Sequence, residues 1–392
     1  MDILISGASV AGPAVALWLN RYGHTTTVVE RAPVLRDGGF GVDFRGEAHL
    51  TVLRRMGILD EVRERATHMG AQVVVDGTGR EVARLPGEAF SGDVEIRRGD
   101  LARLMYERTR DRTDYVFGDT VTSLKETRTG VDVTFRNAAP RTFDLVIGAD
   151  GLHSTIRRLA FGPEEQYLTY LDHHIAAFEL VGNPFGLDRS GLIYTEPNRC
   201  VLVGPTSASF VFPAPVQLAR DDARRVLADV FDGAGWEVPR LLELLERSDD
   251  LYFDSISRID VGRWSSGRVV LLGDAAYGAT VGGLGTGAAI VGAYVLAGEL
   301  AAARDDHVTA FANYEHELRR YVEGGQKLAR DAGRFLAPPT EARIRQRNRM
   351  YRVLNTRLLS GFFNRMTTKA ANAVKLKDYA RILAVQPGGG VR

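Results

Sequence analysis

Cysteine is all but missing from this chain of 392 residues. Cys200 stands alone, which excludes an internal disulfide framework and any metal site built from several thiolates. An intracellular, cytoplasmic protein is the expectation that follows. An excess of one charge is missing too: 50 basic against 49 acidic residues leave a net charge of +1, so no nucleic-acid surface spans the molecule. Long apolar runs are few. The stretch 288–303 is interrupted by Gly292, Gly298 and Glu299, and reads as a buried helix rather than a membrane span. The apolar N-terminus lacks the basic leader of a signal peptide. No HExxH occurs, and Ser9 does not sit in a GxSxG elbow, so neither a zinc site nor a hydrolase nucleophile is offered.

What is present begins at once. Ile3, Leu4 and Ile5 run into a turn containing Gly7, Ser9, Ala11 and Gly12, an apolar helix follows over 14–19, and a β-like stretch over 25–29 ends in Glu30 and Arg31. Strand, glycine turn, helix, strand and acid is the order of a nucleotide-binding βαβ unit. There a pyrophosphate meets backbone N–H groups at a helix N-terminus, and the Glu30 carboxylate accepts ribose hydroxyls. Ser9 stands where the middle glycine of GxGxxG usually falls. By itself the turn fits either a nucleotide site or a generic βα connection.

Helical patterns follow at 48–56 and from Arg98, where Leu101, Leu104 and Met105 share a face. Strands are expected at 71–75, 81–85, 115–117, 131–135 and 143–147. From 167 to 259 the texture changes to alternating β-branched and aromatic runs separated by Pro184, Pro197, Pro205 and Pro213, with helices at 218–231 and 239–246. A strand returns at 268–272, and helix dominates after Gly285 up to the break at Pro338 and Pro339. The expected fold is therefore α/β. A Rossmann-like domain over 1–166 and 260–335 carries an inserted antiparallel sheet over 167–259, and a helical segment over 336–392 closes the chain.

Two further segments carry a family resemblance. Asp144 to Gly151 with Ser154 and Arg157 matches a DGxxSxxR signature, and Arg268 through Ala276 matches a strand followed by Gly-Asp. With the first turn, these stretches resemble the class A FAD-dependent aromatic monooxygenases, the group of para-hydroxybenzoate hydroxylase and the tetracycline-inactivating monooxygenases. The resemblance implies FAD as cofactor and NADPH or NADH as a transient reductant without a domain of its own. It also implies dioxygen as co-substrate, and hydroxylation of an aromatic or polyketide-like small molecule through a flavin C4a-hydroperoxide. On that reading the discontinuous domain binds FAD and the inserted sheet covers the substrate. Asp150 lies at the FAD and nicotinamide cleft, Asp274 accepts from the ribityl chain, and Arg98 reaches FAD or is merely a surface arginine at a helix start. Gly285, Thr286 and Gly287 would offer helix N-terminal donors to the flavin pyrimidine edge. No catalytic side chain is assigned, because the cofactor carries the chemistry. The chain departs from the family at Tyr277, where many members have histidine, and has no proline between 275 and 290, which leaves the path of that loop open.

Substrate-pocket candidates are Tyr170, His173, Tyr194, Phe212 and Tyr277, with His174 beside them. Adjacent residues in a strand face opposite ways, so at most one of His173 and His174 lines a pocket. The basic, apolar-rich tail over 343–377 reads either as a membrane-touching amphipathic helix or, preferably, as a helix bridging the two domains. No nucleic-acid or membrane partner is expected, and the chain is read as a monomer or homodimer. Two other readings stay open: a FAD-dependent dehydrogenase or reductase on the same scaffold, and a non-enzymatic flavoprotein that sequesters a ligand. A halogenase is disfavoured because Trp18, Trp236 and Trp264 are isolated from one another.

Overall fold

A computed structural model describes residues 1–36, 40–87, 91–282, 285–355, 368 and 371–385. Gly38, Gly39, Gly283, Leu284 and the stretch 356–367 of the basic tail lie outside the described residues.

Ile3, Leu4 and Ile5 are wholly buried, as a strand covered on both faces must be, and they form the middle of a six-stranded sheet. The strand Asp2–Ser6 pairs in parallel with Thr25–Glu30 on one side and Leu145–Gly148 on the other. Thr113–Phe117 and Val269–Leu271 extend the sheet in parallel, and Ser265–Ser266 ends it antiparallel. Helix Ala11–Arg21 packs against Gly285–Ala302 and Arg98–Thr109. The strand expected at 143–147 is two strands in different sheets. Arg141–Phe143 belongs to a three-stranded antiparallel sheet, whereas Leu145–Gly148 joins the parallel one. Asp144 is the pivot: its carboxylate accepts from Asp2 N at 2.7 Å and its own N–H donates to Asp2 O at 2.8 Å.

The second large sheet has seven strands, in the order Leu251–Ile259, Leu168–Glu179, Ser207–Pro213, Arg199–Val203, Gly191–Glu196, Gln72–Val75 and Glu81–Leu85. The sheet expected within 167–259 therefore recruits two strands from earlier in the chain, and one of its pairings, Gly191–Glu196 with Gln72–Val75, is parallel. One face carries Phe178, Tyr194, Phe210, Phe212 and Phe253 and is covered by helices Ala223–Phe231 and Val238–Glu246. The opposite face carries Ile193, Cys200, Val211 and Ile256, with Ile175, Leu202 and Val281 partly open.

The tail helix Glu341–Leu354 docks on this sheet through Ile344, Arg347 and Tyr351. The Arg347 guanidinium donates to Phe335 O, Leu336 O and the Thr195 hydroxyl, while Arg343, Arg345, Arg349 and Arg352 stay in solvent. Helix Gly285–Ala302 is apolar and long enough to cross a membrane, yet 78% of it is buried among other elements. Its buried Glu299 accepts from Asn313 of the neighbouring helix and from Lys377 and Tyr379 of the C-terminal segment, so a polar group in an apolar helix is met by donors. The Tyr379 ring lies on Gly298, where an added Cβ would come within 2.2 Å of it. Gly298→Ala is expected to cost about 1–3 kcal/mol by overpacking, read from urea unfolding; an unchanged midpoint would contradict this docking.

Candidate functional site

The first turn is built by close approach. Gly7 has φ +107°, and a Cβ there would lie 2.4 Å from Ala149 O; a Cβ on Gly12 would lie 1.9 Å from Gly7 O. Only glycine lets the helix start, the turn and residues 149–150 touch in this way. Helix Ala11–Arg21 has no side-chain cap, so its first N–H groups are available to an anion. Ser9 is exposed at the turn, and Arg31 is exposed beyond it. Glu30 accepts from Ala8 N and Ala32 N, each at 2.8 Å, and so braces the turn while keeping lone pairs for a further donor.

In the second segment, Asp150 accepts from Ser154 Oγ at 2.5 Å and Ile156 N at 3.0 Å, and Ser154 Oγ accepts from Arg157 N. Aspartate and serine together cap helix Thr155–Ala160, and burial raises the Asp150 pKa against those hydrogen bonds. Arg157 is wholly buried. Its guanidinium donates to Leu152 O, to Glu164 and, at 3.0 Å, to Ala275 O, the residue after Asp274. The signature arginine thus ties the second segment to the third.

In that third segment Gly273, at φ +65°, presents a Cα face 3.3 Å from the Cβ positions of Ala11 and Ala289, measured to an ideal Cβ. Water reaches Asp274, yet protein crowds round it: desolvation raises its pKa and the charge of Arg98 opposes the rise. Arg98, half-buried at the start of helix Arg98–Thr109, is fixed by its N–H to Phe40 O. An ideal Cβ on Gly285 would sit 3.4 Å from Asp274 Oδ1, with Thr286 half-buried beside it. Gly287 is closed against His49, a residue that sequence reading passed over. The His49 Nδ1 accepts from Arg45 N and its Nε2 meets the Tyr321 hydroxyl at 2.6 Å; burial pushes the imidazole down to about 4, so it stays neutral.

The structure therefore brings Gly7, Gly12, Asp150, Arg98, Asp274 and Gly285 together. It does not do so for most of the pocket candidates. Tyr170, Tyr194 and Phe212 lie on the helix-covered face of the seven-stranded sheet. The Tyr170 hydroxyl donates to Ala214 O and sits 3.0 Å from His174 Nδ1. Leu218 N donates to His174 Nε2, so Nδ1 carries the proton, and burial holds this histidine down near 4. The Tyr194 hydroxyl donates to Glu196 and its ring meets Trp236. His173 takes the other face, but packs against Gly333 and donates from Nδ1 to Leu171 O. Tyr277 is core: its ring contacts Trp264 at 4.7 Å and its hydroxyl lies 3.2 Å from that of Tyr314. The residues turned toward Asp274 are others. Tyr252 makes an edge contact with Phe40 and feels the charges of Asp254, Asp274 and Arg98. Asp254 in turn holds His153, which lies inside the DGxxSxxR stretch. The His153 ring reaches Asp254 at 3.0 Å and Glu164 at 2.8 Å, and these two carboxylates push its pKa up to about 10.

A crowded glycine turn, an uncapped helix start and neighbouring carboxylates are the features of a dinucleotide-binding fold. Residues 1–326 match the family described as FAD binding domain, and the chain belongs to that family. It is 35% identical over 343 residues to a flavin-dependent monooxygenase of Legionella longbeachae, covering 84% of this chain and 87% of that one. It is 30% identical to the FAD-dependent monooxygenase asL4 of Sarocladium schorii, over 98% of this chain and 99% of that one. Among solved structures, tetracycline destructase Tet(55) superposes with a TM-score of 0.82 at 34% identity, covering 96% of this chain and 98% of that one. The protein is a flavin-dependent monooxygenase, an oxidoreductase with FAD as its cofactor.

Gly12→Ala is expected to yield folded protein that purifies without bound flavin, since the added methyl has no room beside Gly7 O; full FAD content by absorbance would refute this. His153 gives a pH signature. Its folded pKa is raised above the ordinary 6.5, so its ion pairs contribute fully below that pH, and the contribution is lost as pH climbs through about 10. The ring is 45% exposed, so solvent screening keeps the effect modest. Stability of wild type relative to His153→Gln should therefore shrink between neutral pH and about 10, measured by urea unfolding across pH; a constant difference would contradict it.

Proposed function

We propose that the protein is an NAD(P)H-dependent FAD monooxygenase that hydroxylates an aromatic or polyketide-like small molecule. The observation that carries this reading is the convergence of the Gly7 to Gly12 turn, Asp150, Arg98 and Asp274 near the edge strand of the seven-stranded sheet. The residues fit the cofactor: a crowded glycine turn with uncapped helix amides suits a pyrophosphate, and a water-accessible carboxylate suits a polyol. In this reading Gly7, Ser9, Ala11 and Gly12 hold the pyrophosphate and Glu30 the ribose. Arg31 lends positive charge at the rim, Asp274 and Arg98 take the ribityl end, and Gly285 and Thr286 face the ring, with Gly287 packed against His49 behind them.

When bound, FAD supplies electrons taken from the nicotinamide and activates dioxygen for transfer to the substrate. The protein's own part is to orient and to keep water out. Arg157 fixes Asp150 and the Asp274 turn in one frame. The partly exposed Ile175, Leu202 and Val281 give the substrate an apolar wall, which keeps water from the activated oxygen. Residues 1–166 and 260–335 act as the FAD-binding unit, and 167–259, joined by the two early strands, as the substrate unit.

Aromatic and polyketide-like candidates screened against the yellow holoprotein should include compounds that accelerate NADPH or NADH oxidation and acquire one labelled oxygen from ¹⁸O₂. Accelerated oxidation without label in the product would favour the dehydrogenase reading. Tight ligand binding with no acceleration would favour sequestration.

A further inference from the structure

The loop that leaves Asp274 ends where it began. Gly278 folds back on the Asp274 backbone, since an ideal Cβ there would lie 2.8 Å from Asp274 O, and at the far end Gly285 comes to the Asp274 side chain, its ideal Cβ 3.4 Å from Oδ1. Between these points no proline stiffens the backbone. What fixes the path is the sheet. Leu251–Ile259 is the edge strand of the seven-stranded sheet, and such an edge has backbone groups to satisfy. Ile259 N donates to Gly278 O at 2.9 Å, Arg258 bridges with Ala279, and Thr280 N donates to Ser257 O at 3.1 Å. The Thr280 hydroxyl completes the seam: it accepts from Ser257 N at 3.1 Å and reaches Ser255 O and Ser257 O, each at 3.2 Å. Gln326 reinforces the start of the loop by donating to Tyr277 O and Ile259 O. Beyond Thr280, Val281 packs, partly exposed, against the apolar face that carries Val211 and Ile256. One hydroxyl thus sits at the junction between the Asp274 carboxylate and the sheet proposed to cover the substrate.

We propose that Thr280 is a positioning residue for the flavin, its hydroxyl pinning the segment 278–281 that follows Asp274 onto the edge strand Leu251–Ile259. The proposal rests on the FAD reading given above. A side chain that both donates and accepts at this seam replaces the stiffness a proline would give, and it does so while linking the loop to the substrate sheet. Valine has the same shape and neither function. Serine keeps both. Ser255 supplies the control, because its hydroxyl meets Ser257 Oγ and the Gln217 amide and makes no contact with the loop.

The test uses full-length protein reconstituted with FAD, comparing wild type, Thr280→Val, Thr280→Ser and Ser255→Ala. FAD affinity is read by fluorescence titration and the ring environment by visible circular dichroism. Thr280→Val should weaken FAD binding roughly tenfold, the scale of one lost hydrogen-bonding group, and alter the visible dichroism. Thr280→Ser should restore both, and Ser255→Ala should leave both near wild type even where it lowers the melting temperature. Should Thr280→Val not fold, Thr280→Ala against Thr280→Ser gives the same comparison. Wild-type affinity and dichroism in the hydroxyl-less variant would overturn the proposal, as would an equal loss in Ser255→Ala. Wild-type protein that binds no FAD would overturn the cofactor reading itself, a distinct result that needs no variant.

Discussion

A single buried guanidinium holds the frame of this site. Arg157 has no exposed surface, and its donors go to Leu152 O, Glu164 and Ala275 O, so residues 118 apart in the chain are fixed at hydrogen-bond distance. A charge in that position is tolerated because carbonyls and a carboxylate surround it, and removing one of them would leave a further buried guanidinium N–H unpaired. Its consequence is geometric. The turn after Leu145–Gly148 and the turn after Val269–Leu271 cannot move independently, and both face the glycine turn of the first strand.

Close backbone packing does the rest. Gly7 against Ala149 and Gly12 against Gly7 join the first and second segments, and Gly273 against Ala11 and Ala289 joins the third. These contacts leave little room for side chains; Glu30 and Asp150 are held by hydrogen bonds from their neighbours, while the Asp274 carboxylate faces water beside Gly285. Positive charge from Arg98 opposes the negative charge of Asp274, and the His153 ring is paired with Asp254 and Glu164. The result is a closely packed frame, proposed to hold the cofactor, beside a sheet on which Ile175, Leu202 and Val281 stay partly exposed, an arrangement that suits water exclusion during oxygen transfer.

The parts legible in the sequence are those dictated by local backbone demands. Gly7, Gly12, Asp150, Arg157 and Asp274 recur at fixed distances because turns and caps require particular residues at particular places. The parallel strand at 3–5 was readable because burial on both faces forces an unbroken apolar run. Strand Val121–Glu126 escaped notice because its residues are mostly polar and exposed, and the split at Asp144 left no mark in the apolar pattern. The membership of Gln72–Val75 in the second sheet depends on a pairing with residues more than a hundred positions away. Tyr170, Tyr194 and Phe212 show the sharper limit. Alternation says that a strand has two faces, but which face two helices cover is decided by packing elsewhere, and here those aromatics fill the covered one. Tyr252 and His153 carried only weak local signals, one at the start of a strand and one as an unremarked position inside a signature.

The central claim is that one FAD lies across these converging segments, and a crystal structure of the protein with FAD tests it most directly. The account predicts the pyrophosphate within hydrogen-bond distance of the backbone amides of the Gly7 to Gly12 turn, and the ribityl chain at the Asp274 carboxylate. FAD bound elsewhere on the chain, or a ribityl chain remote from Asp274, would contradict it.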